Sequence, residues 1–254
     1  MSKPLLPFDI TTRSIAGATG SVQNMDCRRE FYKERNEEEH IQCFLAGDRR
    51  ANIQLGLTII HTIFTRLHNK IADEFMKLVI DKFGEENASE HGNLIYHETK
   101  RVVTGLHQLI TYETWLPLIL GKTDEFKLSE YEKYEENLDA GIFNEFSTAA
   151  FRFGHTLIPS TFPQKGKDYV NMKPIPTHKT LFAPYKIVYG GIDPMLRGII
   201  TEPSKYGDDG RLNSELTERF FKINEDVSID LATLNIQRGR DHGIDGYGKY
   251  RVVF

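Results

Sequence analysis

His155 is the histidine of this sequence whose neighbours best suit a ligand. It ends the segment Phe151-Arg-Phe-Gly-His155, next to a glycine, close to aromatic residues and three residues after an arginine. Gly154 has no side chain, so a flat ligand could approach the imidazole closely. A histidine among apolar residues can equally be a hydrogen-bonded core residue. From the residues alone, both interpretations stay open.

Most of the nine histidines are predicted to have no role in chemistry. His61 and His68 lie seven residues apart on one helical face, and with Glu74 they could be imagined as a metal pair. Their spacing matches no HExxH zinc motif, which makes a metal site there a weak alternative. Three histidines in polar surroundings are expected to be solvated: His40, His91 and His178.

A second unusual segment runs Asn235-Ile-Gln-Arg238-Gly-Arg240-Asp-His-Gly243. It places two arginines three and five residues after an asparagine. Guanidinium groups can hold carboxylates through two parallel hydrogen bonds. The alternative is a solvated, salt-bridged helix end.

A third segment, Ala46-Gly-Asp48-Arg49-Arg50-Ala-Asn52, begins the longest predicted helix. Asp48 or a neighbour can cap that helix. Capping does not explain the paired arginines, because cations are unfavourable at the positive end of a helix dipole. An anionic or peroxide-like partner is therefore an open hypothesis for this segment.

Mainly helical elements must position these segments. Apolar residues spaced by threes and fours predict a long amphipathic helix over 51–79. A second helix is predicted over 93–120, and a third over 142–158, with His155 in its last turn and Pro159 after it. Shorter helices are predicted over 193–200, 213–223 and 230–237.

The remaining stretch, 159–185, contains five of the ten prolines and predicts a long ordered connection. No alternating apolar run is longer than four or five residues, so strands are not expected to form a major sheet. The sequence has no internal repeats or low-complexity segments. The predicted fold class is mainly α.

Composition limits the possible functions. A chain of 254 residues with 39% hydrophobic and 27% charged residues can bury a sizeable core, in one large domain or two small ones. A net charge of −4 without a basic stripe argues against nucleic acid as a partner. The apolar runs are far too short to predict a transmembrane segment. The first residues lack the features of a signal peptide, so the composition alone suggests a cytosolic protein.

Cys27 and Cys43 flank a very polar stretch. They are either two free thiols in a reducing compartment or a disulfide in an exported protein. Asn87 begins an Asn-Ala-Ser glycosylation sequon, which is usable only after export. A single sequon is common by chance and decides little.

Taken together, the three unusual segments resemble the animal haem peroxidase family, and the match is collinear over nearly the whole chain. The motifs that carry the resemblance are Cys43-Phe-Leu-Ala-Gly-Asp-Arg-Arg, Leu57-Thr-Ile-Ile-His-Thr, Arg66-Leu-His-Asn, His107-Gln-Leu-Ile-Thr-Tyr, Phe146-Ser-Thr-Ala-Ala-Phe-Arg-Phe-Gly-His, Gly191-Ile-Asp-Pro-Met-Leu-Arg-Gly and Leu234-Asn-Ile-Gln-Arg-Gly-Arg-Asp-His-Gly. Several independent motifs in family order make coincidence implausible.

The resemblance implies a role for each matching residue. His155 would be the proximal ligand of the haem iron, and Asn235 would hydrogen-bond its other ring nitrogen. Arg50 would polarise bound peroxide as the catalytic arginine. Arg152 and Arg238 would lie near the haem propionates. Cys27 and Cys43 would form a short-range disulfide of the family.

The sequence also departs from the family. Members that tie haem to the protein use a glutamate three residues after the distal arginine, where this sequence has Ile53. A family member that forms a second link to haem does so through a methionine at the next position, where this sequence has Gln54. The expected cofactor is therefore a b-type haem without the ester link.

The family's distal histidine and its calcium-binding loop lie upstream of the matched motifs. Asp241-His242 belongs to the segment on the proximal side and is not that distal motif. Residues 1–254 are therefore expected to be the central part of one haem peroxidase domain, incomplete at both ends, with calcium bound elsewhere in the parent.

The implied function is reduction of hydrogen peroxide coupled to oxidation of a small-molecule or protein donor, with little activity in the chain alone. The implied setting is a secreted parent involved in the response to oxidative stress. The alternative is a non-catalytic, peroxidase-like module for adhesion or matrix binding. A helical binding protein without haem is a third possibility, if His155 is inaccessible.

Overall fold

The computed structural model describes residues 43–44, 46–121, 133–205, 210–222 and 227–253, and the expectation of a mainly helical fold is confirmed over them. Nine α-helices are described: α1 Leu55–Phe83, α2 Gly92–Leu109, α3 Leu116–Leu120, α4 Asn144–Thr148, α5 Tyr185–Gly190, α6 Asp193–Thr201, α7 Ser214–Thr217, α8 Leu231–Asp241 and α9 Tyr247–Val253. Short 3₁₀-helices are Arg49–Asn52, Glu85–His91, Ala150–Leu157 and Thr177–Thr180, and Ile110–Trp115 is a π-helix.

The described residues form two compact units. The first contains the residues up to Ile59 and those from Asp139 onward, and the second is Ile60–Leu138. No helix in the described part of the chain has both the length and the low charge that crossing a membrane requires.

Two ring contacts join α1 to α2 in the second unit. The rings of Phe64 and His107 lie 5.7 Å apart and those of His68 and Tyr96 lie 5.6 Å apart, between centroids. Ile95, next to Tyr96 on α2, is buried. α1 ends at Gly84, whose φ of 86° is a left-handed conformation that glycine adopts without steric cost.

The predicted helix over 93–120 is interrupted by the π-helix. The N–H of Leu116 donates to the carbonyl of Thr111, five residues back. Pro117 follows at the start of α3. A proline has no N–H, and in a regular α-helix its ring would clash with the carbonyl four residues before it. A wider turn ahead of the proline avoids that clash and lets the chain continue as a helix to Gly121.

The first unit contains most of the buried apolar side chains: Phe44, Ala51, Leu55, Ile59, Leu181, Ala183, Tyr185, Ile187, Ile192, Met195, Leu216 and Leu231. Burial of a large aliphatic side chain stabilises the fold by about 1.5–3 kcal/mol. Buried Asn52 ties its segment to this core, because its side chain accepts from the N–H of Phe44 and donates to the same residue's carbonyl, both at 2.8 Å.

The long helix begins at Leu55, four residues later than its apolar spacing predicts. Ile53 and Gln54 are drawn into pairing with a distant segment: the N–H of Phe182 donates to the carbonyl of Ile53 at 3.0 Å, and Gln54 forms a bridge with Leu181. Long-range hydrogen bonds thus override the local helical preference. The preceding Asp48 caps only the short 3₁₀-helix Arg49–Asn52.

The connection over 159–185 is ordered, as expected. Its short strands β1, Thr161–Phe162, and β2, Ile175–Pro176, pair antiparallel with Thr161 opposite Pro176. α6 packs onto this connection so closely that a Cβ added to Gly198 would lie 2.3 Å from the carbonyl oxygen of Pro163.

The helix predicted over 213–223 is wrong in extent, because α7 ends at Thr217. Phe221 adopts a left-handed φ of 47°, which a helix cannot accommodate, and Phe220 bridges to Ile229. The ring of Phe221 lies 5.4 Å from that of Phe182, which also has a positive φ of 49°. Aromatic packing therefore directs the chain away from the helical path.

Candidate functional site

His155 and Asn235 are 80 positions apart in sequence and meet in the first unit. Nδ2 of Asn235 lies 3.1 Å from Nδ1 of His155. In the part of the chain that the structure describes, the other ring nitrogen of His155, Nε2, makes no hydrogen bond. One nitrogen of a half-buried imidazole is therefore held, and the other is available.

Two segments with the same residue spacing build this site. Arg152 and His155 are three residues apart on the 3₁₀-helix Ala150–Leu157, where such positions eclipse each other. Asn235 and Arg238 are three residues apart on α8, where such positions share a face. Each segment therefore contributes one arginine and one member of the His155–Asn235 contact.

The predicted helix over 142–158 differs from the structure in a way that matters here. α4 ends at Thr148, Ala149 turns with φ −127° and ψ −63°, and the chain then continues as the 3₁₀-helix. The side chain of Arg152 folds back over this break, and its Nε donates to the carbonyl of Ser147 at 3.1 Å. This bond satisfies a carbonyl at the end of α4.

Burial and nearby positive charges favour the neutral form of His155. Burial, and then the positive charges of Arg152 and Arg238, lower the pKa of His155, while the contact with Asn235 opposes them. Burial and the charge of Arg238 also lower the pKa of Arg152. A neutral imidazole is the form of histidine that ligates metals.

Two cations converge here without a counter-charge. Nη1 of Arg238 donates to Oδ1 of Asn235 at 2.8 Å. Within the described residues, neither Arg152 nor Arg238 forms an ion pair with a carboxylate. Two neighbouring guanidinium groups with spare donors are suited to anionic groups such as carboxylates.

A clamp joins the two segments. Nδ2 of Asn144, at the start of α4, donates to the carbonyl of His242 at 3.2 Å, just after α8 ends. The ring nitrogen Nδ1 of His242 lies 3.1 Å from Oδ1 of Asn144 and 3.3 Å from Oγ1 of Thr148. Asp230 caps the other end of α8 by accepting from the N–H of Ala232.

The surroundings of His155 fit a flat apolar ligand with acidic groups. A Cβ added to Gly154 would meet nothing within 4 Å, so there is open space at the position that precedes His155. The neighbouring rings of Phe151 and Phe153 are 53% and 39% exposed. A haem group would need four features that this segment offers. They are an imidazole nitrogen without a hydrogen bond, open space at Gly154, exposed aromatic side chains, and guanidinium groups without a carboxylate partner.

Arg50 lies outside this cluster in its contacts. Its Nε donates to both carboxylate oxygens of Asp48 at 3.0 Å, and its Nη2 lies 2.6 Å from Oδ2 of Asp48. The Arg50 side chain is 77% exposed. Asp48 therefore pairs with the guanidinium and partly offsets its charge, and the structure shows no contact between Arg50 and His155.

The two positions where covalent haem links were considered have structural roles. The backbone carbonyl of Ile53 accepts a hydrogen bond from the N–H of Phe182. Oε1 of Gln54 accepts from the N–H of Gly56 at 2.6 Å, and its Nε2 donates to Oγ1 of Thr180 at 3.1 Å. Gln54 thus helps to start α1 and to anchor it to the 3₁₀-helix Thr177–Thr180.

The expectation that His178 is solvated is wrong. Its side chain is 11% exposed, and its Nδ1 lies 2.5 Å from Oε2 of Glu215, which is 6% exposed. Its backbone N–H donates to the same oxygen, and Arg219 binds the other oxygen at 2.9 Å. His91 also differs from expectation, because its ring stacks on Phe83 with centroids 4.6 Å apart.

The weak alternative of a metal pair at His61 and His68 gains no support. Glu74 is engaged by Lys77 at 2.8 Å. Across the residues whose placement is described, no three potential ligands come together as a metal site. A haem group requires only one protein ligand to its iron, so this finding leaves the His155 hypothesis unaffected.

Some expected features lie outside the described residues. These are Cys27, His40 and the side chain of Asn87. Cys43 is half-buried. The disulfide and the glycosylation site stay predictions.

Comparisons with known proteins identify the family of the chain. The family model described as animal haem peroxidase matches residues 6–254. A peroxidasin homolog of Mus musculus is 46% identical over 254 residues, which cover 98% of this chain and 16% of that protein. Thyroid peroxidase of Rattus norvegicus is 38% identical over 216 residues, covering 82% of this chain and 23% of that protein.

Among solved structures, peroxidase A from Dictyostelium discoideum superposes with a TM-score of 0.73 at 27% identity. The match covers 96% of this chain and 42% of that one. The fold and the site thus define a haem-peroxidase-like protein. The chain belongs to the animal haem peroxidase family, and it spans about a sixth of the length of its peroxidasin relatives.

Proposed function

We propose that residues 1–254 are the central part of a haem peroxidase domain, whose parent reduces hydrogen peroxide and takes electrons from a small-molecule or protein donor. The observation that carries the proposal is the His155–Asn235 contact between two unpaired guanidinium groups. Family membership supports the same class of chemistry.

Four residues would hold the cofactor. His155 would ligate the iron through Nε2, with Asn235 fixing the ring through Nδ1. Arg152 and Arg238 would bind the propionate groups, since a planar guanidinium matches a carboxylate. Exposed Phe151 and Phe153 offer apolar surface on the same 3₁₀-helix as His155. When bound, haem supplies a redox-active iron at which peroxide is reduced.

The remaining steps depend on this chain's own side chains. Arg50 would place positive charge where negative charge develops on the peroxide, as the family resemblance implies. Its guanidinium is paired with Asp48. Burial and the neighbouring arginines lower the pKa of His155 and so favour the neutral imidazole, which is the charge state that ligation requires. We assign the proton-transferring role to no residue of this chain, so its own peroxide turnover is expected to be slow.

The cofactor is expected to be a b-type haem without an ester link, because isoleucine has no carboxyl group to esterify. The parent would be a secreted protein with a Cys27–Cys43 disulfide, a glycan at Asn87 and a calcium site elsewhere in its chain. Involvement in the response to oxidative stress fits such a parent. Nucleic acid is not an expected partner of this acidic chain.

A second candidate is a non-catalytic module for adhesion or matrix binding. It is favoured by Ile53 at the esterification position and by the offset of the Arg50 charge by Asp48. The two candidates differ in whether the haem-loaded chain reacts with peroxide in an Arg50-dependent way.

Titration of haem into the 254-residue chain tests the proposal. We expect one haem per chain, with a Soret band that His155→Ala abolishes and that the control His97→Ala, at an exposed position on α2, leaves unchanged. Asn235→Ala is expected to weaken binding by about 10–100-fold, as loss of a supporting hydrogen bond does at other metal sites. Haem binding that is indifferent to His155→Ala would refute the assignment.

A further inference from the structure

The hydrogen bond from Arg238 fixes the orientation of the Asn235 side-chain amide. A guanidinium group can only donate, so the amide atom 2.8 Å from its Nη1 must be the oxygen. The amide nitrogen of Asn235 therefore faces Nδ1 of His155, at 3.1 Å. The arginine thus determines which end of the amide faces His155.

That orientation selects one tautomer of His155. The amide nitrogen donates, so Nδ1 of the neutral imidazole must accept, and the ring proton lies on Nε2. A histidine that ligates a metal through Nε2 needs a lone pair there and donates its other N–H to an acceptor. The described arrangement is the reverse of a ligating one.

We propose that Arg238 is a positioning residue that acts through Asn235 to hold His155 in its non-ligating tautomer until a carboxylate draws the guanidinium away. The inference rests on the proposed function of His155. It gives the haem propionates a second role, since they would release the ligand as well as anchor the group.

The release step is balanced. The Asn235 amide turns by half a rotation, one proton leaves Nε2 to solvent, and one is taken up from solvent at Nδ1. The imidazole stays neutral, its Nδ1–H then donates to the amide oxygen, and Nε2 is left with its lone pair. The change of partner is favourable for Arg238, because hydrogen bonds from a guanidinium to a carboxylate are stronger than one to an amide oxygen.

The electrostatics favour such a displacement. Arg238 is close enough to Arg152 to disfavour the charge of Arg152, and neither arginine forms an ion pair with a carboxylate in the described residues. A ligand carboxylate would relieve this repulsion. A neutral ligand would not, so the release should be selective for acidic groups.

The first test reads the tautomer directly in the haem-free chain. Long-range ¹H–¹⁵N correlation of the imidazoles, with His155 identified by its loss in His155→Gln, should show the proton on Nε2. Arg238→Met should produce a clear Nδ1–H population. Arg238→Lys, which retains a donor, and Arg240→Met, an exposed arginine on the same helix, should resemble the unaltered chain.

The second test compares haem with its dimethyl ester, which lacks free carboxylates. Simple propionate binding by Arg238 predicts that Arg238→Met leaves affinity for the diester unchanged. The proposal predicts a gain, on the order of tenfold, because the Arg238–Asn235 bond no longer has to be broken. Arg240→Met should show no gain.

The outcomes separate the two proposals. An Nδ1–H proton in the unaltered haem-free chain, or no diester gain in Arg238→Met, overturns the role of Arg238 and leaves haem binding at His155 standing. Haem binding that does not depend on His155, together with the Nε2–H tautomer, retains the Arg238–Asn235–His155 arrangement but overturns its role in haem entry and the proposed function with it.

Discussion

The side chain of Asn144 donates a hydrogen bond to the backbone carbonyl of His242, 98 positions away in sequence. Asn144 begins the helix that leads into the His155 segment, and His242 ends the helix that carries Asn235. Their contact therefore sets the distance between the two halves of the candidate site.

Asn144→Ala is expected to loosen this clamp. It removes the bond to the His242 carbonyl and the acceptor of Thr148 Oγ1, which lies 2.9 Å from Asn144 Oδ1. We expect the free energy of unfolding to fall by about 0.5–2 kcal/mol, measured by urea denaturation. The control Asn93→Ala, at an exposed position in α2, should change it by less than about 0.5 kcal/mol. Equal effects of the two substitutions would argue against the clamp.

Glu215 makes the stability of the first unit depend on pH. Burial disfavours its charge, but hydrogen bonds from the backbone and ring of His178 and from Arg219 prevail and lower its pKa. A carboxyl with a lowered pKa in the folded state stabilises the fold above its unfolded pKa, about 4.3, and this stability is lost as the pH falls.

Glu215→Gln is accordingly expected to reduce the loss of unfolding free energy as the pH falls. At neutral pH it should cost about 1–3 kcal/mol, since Gln cannot satisfy all the donors that face the carboxylate. Denaturant unfolding at several pH values below 6 measures both effects. Glu218→Gln, at an exposed position on the next turn, is the matched control and should keep the slope of the unaltered chain.

The close approach of α6 to Pro163 predicts a strong effect from a single added methyl group. In Gly198→Ala, the new Cβ would be forced against the Pro163 carbonyl, so the helix or the loop must move. Overpacking of this kind typically costs 1–3 kcal/mol. Gly190→Ala is the control, because a Cβ there meets nothing within 4 Å. A thermal melt in which both variants match the unaltered chain would contradict the described packing.

Arg152 is expected to control the titration of His155. Burial, Arg152 and Arg238 lower the pKa of His155, in that order, so Arg152→Met should raise it by removing one positive charge. An NMR titration of the haem-free chain measures the shift, and Arg240→Met should leave it unchanged. Because a lowered histidine pKa makes folding less favourable as pH falls below about 6.5, the same variant should lessen that loss.

Sequence periodicity predicted the helices well where apolar spacing alone decides. The expectation of 193–200 corresponds to α6, Asp193–Thr201, and that of 230–237 to α8, Leu231–Asp241. It failed where distant partners decide. Ile53 and Gln54 pair with the segment around Phe182, which delays α1. Phe221 turns left-handed against Phe182, which shortens α7.

The candidate site was only partly accessible from the sequence. The Gly154–His155 pair and the Asn235 segment were visible as unusual compositions, but only the family resemblance joined them. The burial of His178 was missed, since its partner Glu215 lies 37 positions away and no local pattern marks the pair. The direction of the Asn235 amide depends on where Arg238 points, which no residue spacing specifies.

Ile53 has a consequence for the amount of the protein as well as for its chemistry. Without an ester, the proposed haem would be held by reversible contacts, and its occupancy would follow free haem through mass action. A ligand that binds only the folded chain stabilises it in proportion to the logarithm of the ligand's concentration above its Kd. The amount of folded protein would then rise and fall with the concentration of free haem in the compartment where the protein folds.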